Sequence, residues 1–138
     1  MNKQPTDLKM LLRDPSLLQT RAYVAGEWID ADDGKTFPVI NPARGDIIAE
    51  VADLSRAEVA RAIKAADAAM KDWAARTGKE RAQVMRKWFD LMMANQDDLG
   101  AILTAEMGKP LPEAKGEIAY GASFIEWFGE EAKRIYGE

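Results

Sequence analysis

The spacing of apolar and polar residues changes twice along the chain. Leucines recur through the first twenty residues, short alternating runs follow as far as Val51, and apolar residues three and four positions apart continue from Leu54 onward. Alternation is typical of half-buried strands, and the longer spacing is typical of helices. The pattern predicts a helical arm over residues 1–20, a short antiparallel β-ribbon over residues 21–52 and a layer of four helices over residues 55–137.

Turn residues divide the ribbon region into four apolar runs. The sequence Asp33-Gly34 lies between two of these runs, and such a pair is a strong hairpin signal. Asn41-Pro42, followed by Gly45, marks a second turn. Four strands are therefore expected, over residues 22–24, 27–29, 36–40 and 47–51.

Two capping signatures predict where the first two helices begin. Ser55 and Thr77 are each followed three positions later by a glutamate, Glu58 and Glu80. In a capping box the hydroxyl accepts a hydrogen bond from a first-turn amide, and the carboxylate accepts one from the amide of the cap residue. Helical spacing then predicts that both helices bury an apolar face, formed by Val59, Ile63, Ala66, Met70 and Trp73 in the first and by Met85, Trp88, Phe89 and Met92 in the second.

The last two helices have equally clear boundaries. Asn95 is suited to end the second helix and begin the third, Gly108 to close the third, and Pro112 to open the fourth, which we expect to run to Gly137. The fourth helix is apolar around most of its circumference, and a helix of this kind needs partners on more than one side. The residues responsible are Ile118, Phe124, Ile125, Trp127 and Phe128.

Composition restricts the chemistry that this chain can perform by itself. Its 138 residues include no cysteine and no histidine, so thiolate and imidazole nucleophiles and the usual zinc ligands are absent. Neither a Gly-x-Gly-x-x-Gly loop nor a Walker loop is present in the sequence. Asp97 and Asp98 are adjacent, and adjacent helical residues do not face each other, which favours a solvated surface over an acid–base pair.

Charge indicates which partners to expect. The net charge is −4, and acidic and basic residues are mixed along the helices. Nucleic acid and anionic membrane are therefore not expected as partners, because both bind basic patches. The first residues lack the pattern of a secretory signal, and no apolar run approaches the length of a membrane span. The predicted location is the cytoplasm.

Several motifs occur in an order and spacing that resemble one enzyme family. They are Gly26-Glu27-Trp28, Asn41-Pro42-Ala43, Lys79-Glu80-Arg81-Ala82, Gly108-Lys109-Pro110 and the run from Ala122 to Phe128. Together they resemble the N-terminal region of NAD(P)-dependent aldehyde dehydrogenases, and most closely that of succinate-semialdehyde dehydrogenases. The similarity covers nearly all of the chain after residue 20.

The resemblance implies an α/β parent enzyme with a Rossmann-like cofactor domain, a catalytic domain and a hairpin for homo-oligomer assembly. Residues 1–138 would be the N-terminal portion of the cofactor-binding domain, with the catalytic domain absent. In the parent enzyme a downstream cysteine attacks the semialdehyde substrate, and hydride passes to NAD or NADP. The chain alone is therefore expected to hold no cofactor and to be inactive. A helical self-assembly or interaction module derived from the same layer is the alternative.

The resemblance also assigns two minor sites. Gly116, Tyr120 and Phe124 match positions that line the mouth of the substrate tunnel in relatives. The carbonyl of Ile40 and the side chain of Glu106 match positions that hold a monovalent cation. Two alternatives stay open, since Tyr120 and Phe124 are also typical of core aromatics, and a glutamate at a helix end is commonly solvated.

Overall fold

The computed structural model describes residues 7–135, and within them two pairs of strands precede four α-helices. This order confirms the predicted sequence of strands followed by helices. Two short 3-10 turns, Leu8–Leu11 and Pro15–Leu17, come first. The strands and helices are β1 (Ala22–Val24), β2 (Glu27–Ile29), β3 (Thr36–Ile40), β4 (Ile47–Ala52), α1 (Arg56–Ala75), α2 (Gly78–Ala94), α3 (Gln96–Met107) and α4 (Leu111–Glu131).

The arm is less helical than the leucine spacing predicts. Its described part contains only the two 3-10 turns, and the predicted helix before Asp7 lies outside the described residues. Pro15 begins the second turn, because its ring fixes the backbone and its nitrogen has no hydrogen to donate to a continuing helix. Leu8 and Leu12 are nonetheless buried. The arm packs on the rest of the chain through these two leucines.

The strands form two separate ribbons rather than one. β1 pairs with β2 and β3 pairs with β4, both antiparallel, while β2 and β3 are not hydrogen-bonded to each other. The first hairpin turns at Ala25 and Gly26, whose φ angles of 52° and 91° are both left-handed. Two such residues in succession are typical of the tightest hairpin turns, because their twist matches that of the strands. The predicted second turn is confirmed, since residues 41–46 join β3 to β4.

The expectation of a hairpin at Asp33-Gly34 is wrong. Gly34 has a φ of 70° and turns the chain, but the turn leads from the first ribbon to the second. The preceding residue Asp32 is tied to α1 instead of to a neighbouring strand. Its N–H donates to the carboxylate of Glu58 at 2.6 Å, and its own carboxylate pairs with Arg61 at 2.7 Å. These contacts hold the turn against α1, so it does not join two paired strands.

Both predicted capping boxes are present. The amide of Thr77 donates to the Glu80 carboxylate at 2.8 Å, and the Glu80 amide donates to the Thr77 hydroxyl at 3.2 Å. At the beginning of α1, the amide of Ser55 donates to Glu58 Oε2 at 2.6 Å. Gly108 closes α3 with a φ of 77°, as its position after the last apolar residue predicts.

Helices α2, α3 and α4 pack together through small residues. Ala114 and Ala122 of α4 are completely buried. A Cβ atom added to Gly129 would lie 3.3 Å from the Cβ of Met85 in α2, and one added to Gly100 of α3 would lie 2.8 Å from the Cγ of Lys115 in α4. The helices therefore approach each other closely where their side chains are smallest. Met85, Phe89 and Met92 of α2 are half-buried, whereas Trp88 is 56% exposed, contrary to prediction.

Most of the predicted apolar face of α1 is not buried within the described residues. Val59, Ile63, Ala66 and Met70 are exposed, and Trp73 is half-buried. The spacing predicted which residues share a side of the helix but could not predict whether another part of the chain covers them. Among the described residues, none of the helices is long and apolar enough to cross a membrane.

The end of α4 also differs from the prediction. The helix finishes at Glu131, before the expected end at Gly137, which itself lies outside the described residues. The amides of Lys133 and Arg134 donate hydrogen bonds to carbonyls three residues earlier. Bonds of this spacing wind the backbone more tightly than an α-helix does. The carbonyl oxygen of Ala132 then lies so close to α2 that a Cβ atom added to Gly78 would come within 2.4 Å of it.

Candidate functional site

The three residues assigned to the substrate tunnel share one face of α4. Gly116, Tyr120 and Phe124 follow one another at intervals of four positions, which places them one above the other on a helix. The rings of Tyr120 and Phe124 meet edge to face, with centroids 4.9 Å apart and planes at 78°. The structure thus brings these three residues together.

This face lies on the side of α4 away from the helical core. Tyr120 is 63% exposed and Phe124 is 47% exposed, whereas Ala114 and Ala122 on the packed side are completely buried. A Cβ atom added to Gly116 would meet nothing within 4 Å. Within the described residues, Tyr120 and Phe124 are therefore not core aromatics, and their assignment to a substrate tunnel stays a prediction.

A shallow groove of about 580 Å³ continues the face toward the end of α4. Phe124 and Trp127 supply its aromatic lining, and Arg134 also lines it. The Arg134 guanidinium pairs with Glu131 at 3.3 Å, so its charge is partly neutralised locally. The Ser123 hydroxyl donates to the carbonyl of Tyr120 at 2.7 Å and is thus engaged with the helix backbone. The face can contribute aromatic and apolar contacts to a ligand.

The two residues of the candidate cation site lie near a contact between the turn after β3 and the residue that closes α3. Ile40 ends β3, and Glu106 is an exposed residue in the last turn of α3. A Cβ atom added to Gly108 would lie 3.1 Å from Cγ of Pro42, so the turn after Ile40 touches the residue that closes α3. Among residues 7–135 no group of three or more acidic, histidine or cysteine side chains could hold a metal ion. The assignment therefore depends on one carboxylate and backbone oxygen, and it stays a prediction.

The turn beside Ile40 is held firmly in place. Asn41 is buried, and its side-chain oxygen accepts hydrogen bonds from the amides of Ala43 at 2.9 Å and Arg44 at 3.2 Å. Its carbonyl accepts a further bond from the amide of Gly45 at 2.7 Å. The pairing of β3 with β4 is irregular between Val39 and Ile40, and such bulges redirect the backbone at a defined position.

A second groove of about 570 Å³ lies beside this turn, between the arm and α3. Leu8, Leu11, Ile47 and Leu111 supply much of its apolar lining. The buried Thr104 hydroxyl, which also belongs to this groove, has no hydrogen-bond partner among the described residues. The groove therefore combines an apolar wall with an unsatisfied polar atom.

Two buried carboxylates tie separate elements together, and only one of them has a signal in the sequence. Glu58 accepts hydrogen bonds from the amides of Ser55 and Asp32. The Ser55 side chain first, and then the amides of Asp32 and Ser55, hold the pKa of Glu58 below its ordinary value of 4.5. The capping box points to the first bond. Asp98 accepts bonds from the amides of Arg13 at 3.1 Å and Asp14 at 2.8 Å.

The expected solvated pair at Asp97 and Asp98 is thus only half correct. Asp97 is exposed, and salt bridges join it to Arg13 at 3.2 Å and Lys115 at 2.7 Å. The hydrogen bond from Lys115 is the main reason that the pKa of Asp97 lies below its usual range. Asp98 is buried because the arm covers it. Nothing in the local sequence identifies the arm as its partner.

Comparison with known proteins identifies the family to which this arrangement of ribbons and helices belongs. The model of the aldehyde dehydrogenase family matches residues 28–138. The chain belongs to the aldehyde dehydrogenase family. The resemblance noted in the sequence is therefore confirmed.

Two curated relatives and one solved structure that are similar to this chain are named as semialdehyde dehydrogenases. Glutarate-semialdehyde dehydrogenase of Pseudomonas aeruginosa is 60% identical over 94% of this chain and 27% of its own length. Succinate-semialdehyde dehydrogenase [NADP(+)] of Escherichia coli is 53% identical over 94% and 27%. The crystal structure of succinate-semialdehyde dehydrogenase from Burkholderia pseudomallei superposes with a TM-score of 0.89 at 57% identity, over 92% of this chain and 26% of that one.

This aldehyde dehydrogenase chain spans about a quarter of the length of the curated relatives that it matches. Dinucleotides bind at junctions between a parallel strand and a helix, where a glycine-rich turn receives the pyrophosphate. Both sheets in residues 7–135 are antiparallel ribbons, and the sequence has no such glycine-rich turn. The described residues therefore do not fit a pyrophosphate cradle.

Proposed function

We propose that this chain is the N-terminal part of an NAD(P)+-dependent dehydrogenase that oxidises succinate or glutarate semialdehyde to the dicarboxylic acid. The observation that carries the proposal is the exposed aromatic face of α4, in a chain 60% identical to a glutarate-semialdehyde dehydrogenase. In the proposed parent enzyme, residues 1–138 belong to a Rossmann-like cofactor domain. The enzyme would be a cytoplasmic homo-oligomer.

The contribution of this segment to the reaction is to bind and orient the substrate. Tyr120 and Phe124 form an apolar wall beside the path of the aldehyde, and Gly116 leaves that wall open at one end. NAD or NADP, when bound by the remainder of the enzyme, accepts the hydride. Ile40 and Glu106 would hold a monovalent cation through oxygen atoms, which hard cations prefer.

We expect the isolated 138-residue chain to be inactive. It contains no cysteine to attack an aldehyde and no motif that receives a dinucleotide phosphate. Incubation of the pure chain with either semialdehyde and NAD+ or NADP+ should therefore produce no absorbance of reduced cofactor. Reproducible turnover that follows the chain through purification would contradict this expectation.

A chimeric enzyme provides the decisive test of the proposal. In it, this chain replaces the matching N-terminal residues of the Pseudomonas aeruginosa glutarate-semialdehyde dehydrogenase. If the segment is a functional part of such an enzyme, the chimera folds and reduces NAD(P)+ with glutarate or succinate semialdehyde. A folded chimera that turns over neither compound would contradict the proposed substrate class.

Within that chimera, Tyr120→Ala tests the tunnel assignment. The change should raise the KM for the semialdehyde roughly tenfold and leave the KM for the cofactor unchanged, because one apolar contact with the substrate is lost. Tyr23→Ala is a matched control, since Tyr23 and Tyr120 are both 63% exposed but Tyr23 lies in β1. Equal kinetic constants for the two variants would show that Tyr120 does not contact the substrate.

The alternative is a non-catalytic module that assembles through its exposed helices. The observation that favours it is the uncovered apolar face of α1, with Ile63 and Met70 both more than 60% exposed. A module of this kind would form a defined oligomer by itself. It would not restore activity when joined to the remainder of a dehydrogenase, so the chimera distinguishes the two functions.

A further inference from the structure

A dipeptide in the turn between the two ribbons has the composition that allows a backbone to rearrange. Asp33-Gly34 is the one place in the sequence where an aspartate or asparagine precedes a glycine. The nitrogen of such a glycine can attack the aspartate carboxyl group, because glycine has no Cβ atom to hinder the approach. Both residues are exposed, and a Cβ atom added to Gly34 would meet no atom of the described residues within 4 Å. A ring that forms here has room, and water can reach it.

The rearrangement exchanges one backbone linkage for another through a succinimide ring. The Gly34 nitrogen forms a bond to Cγ of Asp33, and the hydroxyl of the protonated carboxyl group leaves as water together with the amide hydrogen. Water then opens the ring at either carbonyl. One opening restores aspartate, and the other gives isoaspartate, whose backbone runs through the former side chain. Because the carboxyl group must be protonated to lose its hydroxyl, any contact that keeps Asp33 ionised slows the reaction.

Lys35 makes two contacts of this kind with the Asp33 carboxylate. Its amide donates to Oδ1 at 3.0 Å, and its ammonium group pairs with Oδ2 at 2.7 Å. An aspartate that binds the amide two residues further on is typical of a turn. The Lys35 side chain first, and then the Lys35 amide, hold the pKa of Asp33 below its ordinary value of 3.8. The carboxylate is thus held in one orientation and in its unreactive, ionised form.

The backbone of the turn is also restrained on both sides. The Gly34 amide donates to the carbonyl of Ala31 at 2.9 Å, and this bond must break before the nitrogen can lose its hydrogen. The carbonyl of Lys35 accepts a bond from the amide of Asp53 at 2.9 Å, which fixes Lys35 beside the second ribbon. Asp32, on the other side, is bound to α1. The contacts between Lys35 and Asp33 are therefore formed between two anchored points.

We propose that Asp33-Gly34 is a site of spontaneous rearrangement to isoaspartate, and that the Lys35 ammonium group restrains this reaction. The inference is independent of the proposed function, because it uses neither the aromatic face of α4 nor the rest of the enzyme. Isoaspartate would add one carbon atom to the backbone between Asp32 and β3. The connection between the two ribbons would lengthen, and the contacts of Asp32 with α1 would be displaced.

Parallel ageing of variants at neutral pH and physiological temperature tests the proposal. Isoaspartate at position 33 is measured by proteolysis and electron-transfer fragmentation, which distinguishes the two linkages. Lys35→Gln should form it roughly two to five times faster than the unmodified chain, as expected for the loss of one exposed ion pair. Lys35→Arg keeps the positive charge and should match the unmodified chain. Lys9→Gln is the matched control, because the Lys9 amide binds Asp7 in the same way but no glycine follows Asp7.

Each outcome decides for or against the proposal. Equal rates in Lys35→Gln and the unmodified chain would overturn the role of Lys35, and so would an equal acceleration by Lys9→Gln. Absence of isoaspartate at position 33 in Lys35→Gln would overturn the site itself. If circular dichroism shows that Lys35→Gln is unfolded, salt replaces it as the test, because salt screens exposed ion pairs. High salt should then raise the rate in the unmodified chain, and a rate that does not change with salt would reject the proposal.

Discussion

Helices α1 and α4 have almost the same length and very different surroundings. They contain 20 and 21 residues, and both expose large apolar side chains. α4 also has a side made of small residues, including Ala114 and Ala122, on which α2 and α3 pack closely. α1 contains nine alanines, but Ala66 is exposed together with Ile63 and Met70. Helical periodicity therefore identifies an apolar face, and small residues allow close packing only where a neighbouring helix covers that face.

The two helices are also held in different ways. α4 is held along its length by contacts with α2 and α3, whereas the ties of α1 are concentrated at its two ends. At its first turns Glu58 binds the amides of Ser55 and Asp32, and Arg61 pairs with the Asp32 carboxylate. At its other end, Arg81 of α2 donates to the carbonyls of Ala74 and Arg76. Polar contacts at the two ends thus fix the direction of α1 and leave most of its apolar face exposed.

The largest effect is expected where the packing of α4 is closest. Gly78→Ala would place a Cβ atom 2.4 Å from the backbone oxygen of Ala132, so one of the two helices must shift. We expect a loss of about 1–3 kcal/mol in the free energy of unfolding of the isolated chain, measured by urea denaturation and circular dichroism. Lys79→Ala, at the neighbouring exposed position, should have little effect. Equal stability of the two variants would mean that α2 and α4 do not meet at this point.

A smaller effect is expected on self-association. Because Phe124, Trp127 and Phe128 are exposed, copies of the isolated chain should associate through α4 at micromolar concentration. Trp127→Ser should weaken that association roughly tenfold through the loss of buried apolar area, whereas Ile63→Ser on α1 should not. Sedimentation and light scattering measure both variants. If the unmodified chain is a monomer that binds little apolar dye, the expectation is wrong.

The smallest effect concerns acid stability at the beginning of α1. The folded state lowers the pKa of Glu58, so its contribution to stability is complete above the ordinary value of 4.5 and is lost as pH falls through the lower folded value. Glu58→Gln should therefore flatten the dependence of melting temperature on pH between about pH 6 and about pH 3. Glu113→Gln, in the first turn of α4, controls for the loss of an acidic side chain. Identical pH profiles for Glu58→Gln and the unmodified chain would contradict the assignment.

Local features of the fold were predictable from the sequence, and long-range contacts were not. Capping by Thr77 and termination at Gly108 depend on neighbouring residues, so the sequence contains the whole signal. The sequence also predicts a turn at Asp33-Gly34, but the expectation that it joins two paired strands is wrong. Glu58 and Arg61 bind the adjacent Asp32 and hold the turn against α1. Asp98 has no local signal for its contact with the arm.

In the candidate site, too, local features were predictable from the sequence and long-range contacts were not. Positions 116, 120 and 124 share a face because of helical spacing alone, so their proximity was predictable. The exposure of Tyr120 depends on which helices cover α4, and that required the structure. The closeness of the Asn-Pro turn to the end of α3 likewise depends on the contact between Pro42 and Gly108, which lie far apart in the sequence.

The hydrogen bonds that the arm donates to the Asp98 carboxylate allow the motion of the arm to be measured. The carboxylate accepts the amide hydrogens of Arg13 and Asp14, and a bonded amide exchanges with deuterium only when its bond opens. The exchange rates of these two amides therefore report how often the arm leaves α3, without any added label. The difference between these rates and those of amides in the centre of α3 would separate release of the arm from unfolding of the helix beneath it.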